Sequence, residues 1–307
     1  MTSQDEITRT ADRLKDALGA AAGLMTVGDS IVGARGSKVR HAKGWLFPAS
    51  AVAGVAAIAA ASALVTVFVG HAAGNTGGRT VTAGFFGPVH LVSVSAPDPA
   101  ALNSPGVQAA RSSVVKITGS APSCGRAIEG SGFVYAPQHV MTAAHDVAGI
   151  TWEQKVTTAD GVAYRATVVF YDPRADIAVL DVPGLNAAPL RFSTQANPGD
   201  NAAVAGYPLD HAFTVVPARI AGVMQAEGTS IYRTGYVDRQ VYEIRALEPG
   251  DSGGPLLSPS GTVDGVVQEG ESGVPDTGFA LTASYIQADA KAAASATAPI
   301  STQSCLP

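Results

Sequence analysis

The sequence predicts an all-β domain built of closed barrels, preceded by one transmembrane helix and followed by a C-terminal helix. From Val107 onwards, short β-type runs alternate with turn signals such as Asp160-Gly161 and Ser260-Gly261, and many short strands at this spacing are typical of closed barrels. Upstream, the run from Leu46 to Val69 carries no charge. At about 1.5 Å per residue it is long enough to cross a hydrocarbon core of about 30 Å.

The predicted strands follow one another at fairly regular spacing. They are Ser113 to Thr118, Gly132 to Tyr135, Val140 to Ala143, Val162 to Tyr171, Ile177 to Val182, Asn201 to Gly206, Phe213 to Met224, Arg239 to Arg245, Gly254 to Leu257 and Gly261 to Gln268. After them, the Ala-rich stretch Thr282 to Ala296 carries Ile286 and Ala290 at helical spacing. This spacing predicts the terminal helix.

Residues 1–44 are predicted to form a small cytoplasmic tail. Ile7, Leu14 and Leu18 lie among charged residues at a spacing that fits a short amphipathic helix. Such a helix could dock on a partner or on lipid. The alternative is a tail that is simply solvated.

Residues 45–70 are assigned to the transmembrane helix, and the flanking charges predict its orientation. Basic residues precede the span at Arg35, Lys38, Arg40 and Lys43, whereas only Arg79 follows it closely. Because basic residues stay on the cytoplasmic side, the N-terminus is predicted to be cytoplasmic, and the chain after the span to lie in a periplasm-like or extracellular space. The competing interpretation is a cleaved signal peptide, with Gly70-His71-Ala72 as a weak cleavage site, although its apolar core would be unusually long.

Residues 71–106 are rich in glycine and proline and are predicted to be a linker between the membrane and the β domain at residues 107–307. An apolar piece from Phe85 to Val94 interrupts the linker and could lie along the β domain as an extra strand. The β domain is acidic, with nineteen Asp/Glu against twelve Lys/Arg. This balance argues against nucleic acid as a partner, because phosphate contacts need basic patches.

The stretch Glu248-Pro249-Gly250-Asp251-Ser252-Gly253-Gly254-Pro255 has the composition expected around a nucleophilic serine. A serine hydroxyl needs a base for its proton and donors for the oxyanion that follows. The glycines permit a tight turn that aims the N–H groups of Gly250 and Ser252 at one point, which would be the oxyanion hole. Taken alone, the stretch could also be a Gly-rich hairpin with a chance serine.

Two upstream stretches supply a base and a carboxylate that orients it. Val140-Met141-Thr142-Ala143-Ala144-His145 is an apolar strand that runs into an imidazole, and Asp176-Ile177-Ala178-Val179-Leu180 is a carboxylate at the mouth of a buried strand. Alone, a histidine is more often structural, and an aspartate before an apolar run is more often a cap. Together with the serine they form a triad in the order His145, Asp176, Ser252.

These motifs resemble those of the trypsin-like (chymotrypsin-fold) serine proteases over roughly residues 107 to 290. The resemblance implies two six-stranded β-barrels of the chymotrypsin fold with the site between them, and a C-terminal helix packed on the second barrel. It also implies catalytic roles for His145, Asp176 and Ser252. The run Gly278-Phe279-Ala280-Leu281 is more similar to the bacterial HtrA-type branch, and no PDZ-like domain fits in the residues that follow the terminal helix.

The same resemblance implies a substrate pocket. Its floor would be Ala246, six residues before the nucleophile, and its walls would be Val267, Gln268, Glu269, Gly270, Gly278, Phe279 and Ala280. An alanine floor offers no carboxylate to Arg or Lys, so a strong preference for basic side chains is not expected. Glu248 and Glu269 near the rim leave open a weaker preference for basic side chains.

The two cysteines, Cys124 and Cys305, both lie on the predicted outer side of the membrane, where an oxidising compartment favours a disulfide. The alternative is two unpaired buried thiols. Position 146 is Asp, where digestive relatives have a disulfide cysteine. One long bridge, a membrane anchor and the triad together resemble the actinobacterial membrane-anchored proteases of the mycobacterial acid-resistance type, which have several membrane spans where this chain shows one.

The resemblance implies a membrane-anchored serine endopeptidase of the cell envelope that cleaves protein or peptide substrates through an acyl-enzyme. Two alternatives stay open: a peptide-binding pseudoprotease with weak or no turnover, and an esterase or acyltransferase with the same nucleophile. No cofactor is expected. No metal site is predicted, because His41, His71, His90, His139 and His211 have no ligand-type spacing.

Overall fold

The computed structural model describes residues 79–82, 88–91, 94–150, 152–193, 196–208, 211–246, 252–270 and 276–306. Contacts divide the chain into two units, Met1–Ala72 and Ala73–Pro307, and every described residue lies in the second. The predicted cytoplasmic tail and transmembrane helix fall outside the described residues. Within the described ranges, no helix is both long enough and apolar enough to cross a bilayer.

The first described elements are two short strands, β1 (Arg79–Thr82) and β2 (Pro88–Leu91). They pair with each other antiparallel and form a two-stranded sheet of their own. The apolar piece that the sequence suggested as an extra strand of the β domain therefore finds its partner within the predicted linker.

Six antiparallel strands form the first barrel: β3 (Val114–Ala121), β4 (Arg126–Ala136), β5 (His139–Thr142), β6 (Trp152–Thr157), β7 (Ala163–Asp172) and β8 (Ile177–Asp181). They close in the order β3-β4-β5-β8-β7-β6. The strands predicted from the sequence do not include β6, because the consecutive polar residues Glu153, Gln154 and Lys155 hide any alternation. This strand is specified by its ladders with β3 and β7 rather than by an apolar pattern of its own.

The second barrel contains β9 (Asn201–Gly206), β10 (Thr214–Thr229), β11 (Tyr236–Ala246), β12 (Pro255–Leu257), β13 (Val263–Gly270) and β14 (Thr277–Thr282). It closes in the order β10-β11-β14-β13-β12-β9. The prediction of two six-stranded barrels is thus confirmed, although β14 was not among the strands predicted from the sequence. His145 and Asp176 belong to the first barrel, whereas Ser252 directly precedes β12 of the second.

Several barrel strands are buried on both faces, which explains why they are continuous apolar runs rather than alternating ones. In β4, Phe133 faces a cluster shared by the two barrels, whereas Val134 faces the inside of the first barrel. In β14, Phe279 faces the same inter-barrel cluster, and Ala280 faces the inside of the second barrel. This shared cluster fixes the position of one barrel against the other.

The segment before the first barrel folds onto the second one. A short 3-10 helix, Pro99–Asn103, is followed by α1 (Pro105–Ala110). Just upstream, Arg219 of β10 donates to the Ala96 carbonyl at 3.1 Å, and Arg245 of β11 donates to the Val94 carbonyl at 3.0 Å. Residues 94–106, which the sequence assigned to the linker, are therefore bound to the folded domain.

The C-terminal helix, α2 (Ala283–Ala293), confirms the predicted helix. Thr282 caps its N-terminus by accepting the Tyr285 N–H at 3.2 Å. Ile286 and Ala290 are buried in the inter-barrel cluster, and the helix contacts β8 of the first barrel as well as β13 and β14 of the second. It therefore covers the seam between the barrels instead of packing on the second barrel alone.

The tail after α2 returns to the first barrel, where the predicted disulfide joins Cys305 to Cys124 in the connection between β3 and β4. Beside the bridge, the Gly149 N–H donates to the Thr302 carbonyl at 3.1 Å. The Thr302 hydroxyl donates in turn to the Ile150 carbonyl at 3.0 Å. The tail is thus bound to the loop that follows β5.

Candidate active site

Ser252, His145 and Asp176 form a continuous chain of hydrogen bonds. The Oγ of Ser252 lies 2.5 Å from the Nε2 of His145, and the Nδ1 of His145 lies 2.7 Å from the Oδ2 of Asp176. The other carboxylate oxygen, Oδ1, accepts the backbone N–H of His145 at 2.9 Å. With Nδ1 facing a carboxylate and Nε2 facing a hydroxyl, the imidazole is placed to act as general base on a serine nucleophile.

His145 follows β5 at a point where the backbone is closely packed against the barrel. Ala143 and Ala144, which separate it from the strand, are fully buried, and the Thr142 hydroxyl donates to the Ser131 carbonyl at 2.7 Å. Small side chains here let the backbone leave the barrel without displacing its core. The imidazole thereby reaches the junction with the second barrel, where the side chain is 18% exposed.

Asp176 immediately precedes β8 in a left-handed backbone conformation, with a φ of 64°. The turn before it is built by Asp172, whose carboxylate accepts the N–H groups of Arg174 at 2.7 Å and Ala175 at 3.1 Å. The Asp172 carbonyl accepts the N–H of Asp176 at 2.9 Å. A positive φ is uncommon outside glycine and is held here by the turn. The result is a carboxylate aimed at His145.

The carboxylate of Asp176 is fully buried. Burial alone would raise its pKa, but the charge of His145, two hydrogen bonds from His145 and the charge of Arg239 act in the opposite direction. The pKa of Asp176 therefore lies below its ordinary value. An ionised carboxylate is what the orientation of the imidazole requires.

Arg239 was predicted only as a strand residue, and its place behind the triad was not predicted. Arg239 lies on β11 of the second barrel, is fully buried and donates from Nη2 to the Thr229 carbonyl at 2.8 Å. Burial lowers the pKa of Arg239, and the negative charge of Asp176 opposes that shift. A positive charge of the second barrel thus stabilises a carboxylate of the first. No local sequence pattern indicates a pairing across two barrels.

The turn that carries Ser252 is bound to both barrels. The Ser252 carbonyl accepts the Ser131 N–H at 3.2 Å, and the Gly253 N–H donates to the Val267 carbonyl at 2.9 Å. Gly253 has a φ of 78°, and an ideal Cβ there would lie 2.4 Å from both the Ser131 carbonyl oxygen and the Thr142 hydroxyl. Only glycine fits this position, which gives a physical reason for the residue that follows the serine.

The predicted oxyanion hole is described only in part. Ser252 is placed in the turn, but Gly250 and Asp251 lie outside the described residues. The role of the Gly250 N–H as an oxyanion donor therefore stays a prediction.

Three of the predicted pocket residues share one apolar cluster inside the second barrel. Ala246, Val267 and Ala280 belong to it, and each is at most 6% exposed. Phe279 lies apart from these three, because its side chain leaves the opposite face of β14 and packs in the inter-barrel cluster. Residues on adjacent positions of a strand point to opposite faces, so Phe279 and Ala280 cannot line the same wall.

The other predicted pocket residues follow along β13 and β14. Gln268 is fully buried, and its Nε2 lies 3.4 Å from the Val267 carbonyl oxygen. Glu269 lies next to it on β13, and Gly270 pairs with Gly278 of β14. Two glycines thus lie opposite each other at this end of the predicted pocket.

A serine, an imidazole and a carboxylate joined across two six-stranded barrels define the site of a chymotrypsin-fold serine peptidase. Sequence comparison agrees: the Trypsin-like peptidase domain family matches residues 130–266. The chain belongs to the trypsin-like serine proteases.

Its relatives include bacterial proteases of two kinds. Serine protease Rv3671c from Mycobacterium tuberculosis (strain ATCC 25618 / H37Rv) is 43% identical over 236 residues, which cover 76% of this chain and 58% of that protein. The crystal structure of the active form of the Rv3671c protease has a TM-score of 0.68 and 41% identity, and the match covers 77% of this chain and 100% of that one. A probable periplasmic serine endoprotease, DegP-like, from Chlamydia pneumoniae is 33% identical over 165 residues, covering 52% of this chain and 33% of that protein.

Proposed function

We propose that the chain is a serine endopeptidase of the HtrA and Rv3671c type, which cleaves peptide bonds in protein or peptide substrates. The observation that carries the proposal is the unbroken hydrogen-bond chain from Ser252 through His145 to Asp176. A protein that only binds peptides needs no base within hydrogen-bond distance of a serine hydroxyl. This geometry therefore favours turnover over a pseudoprotease.

The geometry assigns each proton of the reaction. The Nε2 of His145 takes the proton of the Ser252 hydroxyl while Oγ attacks the carbonyl carbon, and the imidazolium then gives that proton to the leaving amine. Water attacks the resulting acyl-enzyme with His145 again as base. Asp176 stays ionised throughout and holds the tautomer whose N–H is on Nδ1.

A preference for small, uncharged side chains next to the scissile bond is a further part of the proposal. Ala246, the predicted pocket floor, carries no carboxylate, and it shares an apolar cluster with Val267 and Ala280. A buried cationic side chain without a counter-charge would lose its hydration at a high cost in free energy. Substrates with Arg or Lys at this position are therefore expected to be poor.

Membrane anchoring and a location outside the cytoplasm are further parts of the proposal. The uncharged run from Leu46 to Val69 and the basic residues before it support a single span with a cytoplasmic N-terminus. The bridge between Cys124 and Cys305 is typical of an oxidising compartment such as the cell envelope. A reporter fused after residue 106 should be active only outside the cytoplasm and stay with membranes after alkaline wash. A soluble mature form that begins near Ala73 would support the signal-peptide interpretation instead.

The catalytic assignment is tested with a fluorophosphonate probe, which labels only an activated serine. The wild-type chain should be labelled and should cleave peptides, whereas Ser252→Ala should lose both activities and keep its thermal unfolding profile. Absence of labelling in the wild type would support the pseudoprotease. Labelling with turnover of ester but not of peptide substrates would support the esterase or acyltransferase.

A further inference from the structure

A second carboxylate lies beside the reactive nitrogen of the catalytic imidazole. The Oδ1 of Asp146 is 3.4 Å from the Nε2 of His145, the same atom that faces the Ser252 hydroxyl. The Asp146 side chain is 7% exposed, and its Oδ2 lies 3.3 Å from the Thr142 hydroxyl. Asp176 reaches the imidazole at Nδ1, so the two carboxylates approach the ring from opposite nitrogens.

The surrounding chain leaves space for this carboxylate. An ideal Cβ at Gly130 of β4 would lie 2.7 Å from the Cγ of Asp146, and one at Gly253 would lie 2.8 Å from its Oδ2. The first of these glycines belongs to the first barrel and the second to the turn of the nucleophile. Asp146 is thus enclosed between two positions where any larger residue would collide with it.

The effect of the Asp146 carboxylate on the protonation of His145 depends on the other charges nearby. Among the described residues, Asp176 before β8 and Asp146 contact the imidazole. The charge of Arg239 on β11 acts on Asp176, and Tyr171 on β7 is close enough to Asp176 for the two groups to interact. Asp251 lies outside the described residues. When His145 becomes an imidazolium, the new positive charge lies within ion-pair distance of both Asp176 and Asp146.

We propose that Asp146 is a positioning residue that stabilises the protonated form of His145 from the Nε2 side and thereby sets the pH range in which Ser252 is activated. The inference rests on the proposed function. In the acylation step the Ser252 O–H bond breaks, Oγ bonds to the substrate carbon, and the proton moves to Nε2 and then to the leaving amine. Asp146 takes up no proton at any stage. Its charge strengthens the base, but also keeps the free imidazole protonated to a higher pH.

The first experiment measures the second-order rate constant of fluorophosphonate labelling against pH, with the full-length chain and its Asp146→Asn variant. Asn has the size of Asp but no charge, so the acid limb of the profile should move to lower pH by about one unit. The rate on the plateau should fall about 3- to 10-fold, because a less basic imidazole is a weaker general base. Glu227→Gln, which removes an exposed carboxylate from β10, should change neither quantity.

A merely structural role for Asp146 would lower the rate at every pH without moving the midpoint of the acid limb. An unchanged midpoint in the folded Asp146→Asn variant therefore overturns the proposal. Far-UV circular dichroism and thermal unfolding show whether the variant is folded. If Asn is not tolerated, Asp146→Ser is used, since its smaller side chain also lacks the charge and cannot collide with Gly130 or Gly253.

A second experiment follows the imidazole without relying on turnover. Diethyl pyrocarbonate modifies neutral imidazole, and mass spectrometry of the peptide that contains His145 gives the modification rate as a function of pH. The comparison is made between Ser252→Ala and the double variant Ser252→Ala/Asp146→Asn. A midpoint that moves to lower pH in the double variant supports the role of Asp146 even if the wild-type chain cleaves no peptide. Coincident midpoints contradict that role even if the chain is an active peptidase.

Discussion

An ideal Cβ atom at Gly149 would lie 2.6 Å from the Sγ of Cys124, so the loop that follows His145 touches the disulfide directly. Gly149 also has a φ of 73° and donates its N–H to the Thr302 carbonyl. Glycine is required here both for its backbone conformation and for the close approach. The bridge is therefore in contact with the segment that positions the catalytic base.

Gly149→Ala should destabilise the domain and slow Ser252 labelling. The loss of stability should exceed about 1 kcal/mol, because an unfavourable φ and a collision with Cys124 act together. Gly161→Ala is the matched control, since Gly161 has a φ of 84° and no atom within 4 Å of an ideal Cβ. Urea unfolding and fluorophosphonate labelling are measured for both. Equal losses of stability and of labelling rate in the two variants would show that the collision with Cys124 adds nothing to the effect of the backbone conformation.

Cys305→Ser should lower both stability and activity. The bridge spans a sequence separation of 181 residues, and removal of a native disulfide typically costs about 2 to 5 kcal/mol. It holds the tail against the first barrel, and Tyr232 of the second barrel lies with its hydroxyl 3.0 Å from the Ser304 carbonyl oxygen. Loosening the tail should therefore disturb the junction of the barrels. Thermal unfolding, labelling rate and cleavage within the tail are compared with and without reductant. A less stable variant with the wild-type labelling rate would separate the bridge from the site.

Arg239→Met should destabilise the domain by about 1 to 3 kcal/mol, because it removes a positive charge that acts with His145 to stabilise the buried carboxylate of Asp176. The folded-state pKa of Asp176 is lowered, so its contribution to stability is present above the unfolded pKa and is lost as pH falls through the folded pKa. Without Arg239 the folded pKa rises, and this loss begins at a higher pH. Arg239→Lys keeps the positive charge and should therefore lower the stability less than Arg239→Met does. Urea unfolding from pH 7 down to about pH 2 tests this, because the loss in the wild type occurs below the ordinary pKa of an aspartate. Parallel stability curves for Arg239→Met and wild type over this range would contradict the prediction.

Asp264→Asn should stabilise the domain at pH 7 but not at pH 4. Burial, with the charge of Asp200, raises the pKa of Asp264 to about 6 from 3.8, although a hydrogen bond from Ser193 acts against the shift. The native state therefore binds the proton more tightly, and stability falls as pH rises through about 6. One pKa unit corresponds to about 1.4 kcal/mol, so the gain at pH 7 has an upper bound of about 3 kcal/mol.

The control for this prediction is Asp238→Asn, which removes a carboxylate from an exposed position of β11. It should change the free energy of unfolding little at either pH. A gain for Asp264→Asn that is the same at pH 4 and pH 7 would show that the carboxyl group is not ionised at a cost in the native protein.

The sequence predicted the barrels and the members of the triad because both depend on local patterns. Apolar runs between turns indicate barrel strands. The Asp-Ser-Gly-Gly-Pro motif needs a glycine at Gly253, because the backbone there has a φ of 78°. The features it missed depend on distant neighbours. β6 is specified by its ladders, and Arg239 acts across the junction of the barrels. Phe279 and Ala280 point to opposite faces of β14, and both faces are buried, so an apolar pattern alone does not separate their roles.

Ala246 is the predicted floor of the substrate pocket. Ala246→Asp should create a preference for Arg or Lys next to the scissile bond, because the new carboxylate supplies the counter-charge that the apolar cluster around Val267 and Ala280 lacks. Ala246→Asn is the matched control, with the same size and no charge. Cleavage of peptides that differ only in this residue should favour Arg over Ala at least about 10-fold more in the Asp variant than in the Asn variant. Labelling of Ser252 by a fluorophosphonate confirms that each variant has an intact site. Equal Arg-to-Ala ratios in two labelled variants would place the pocket floor at another residue.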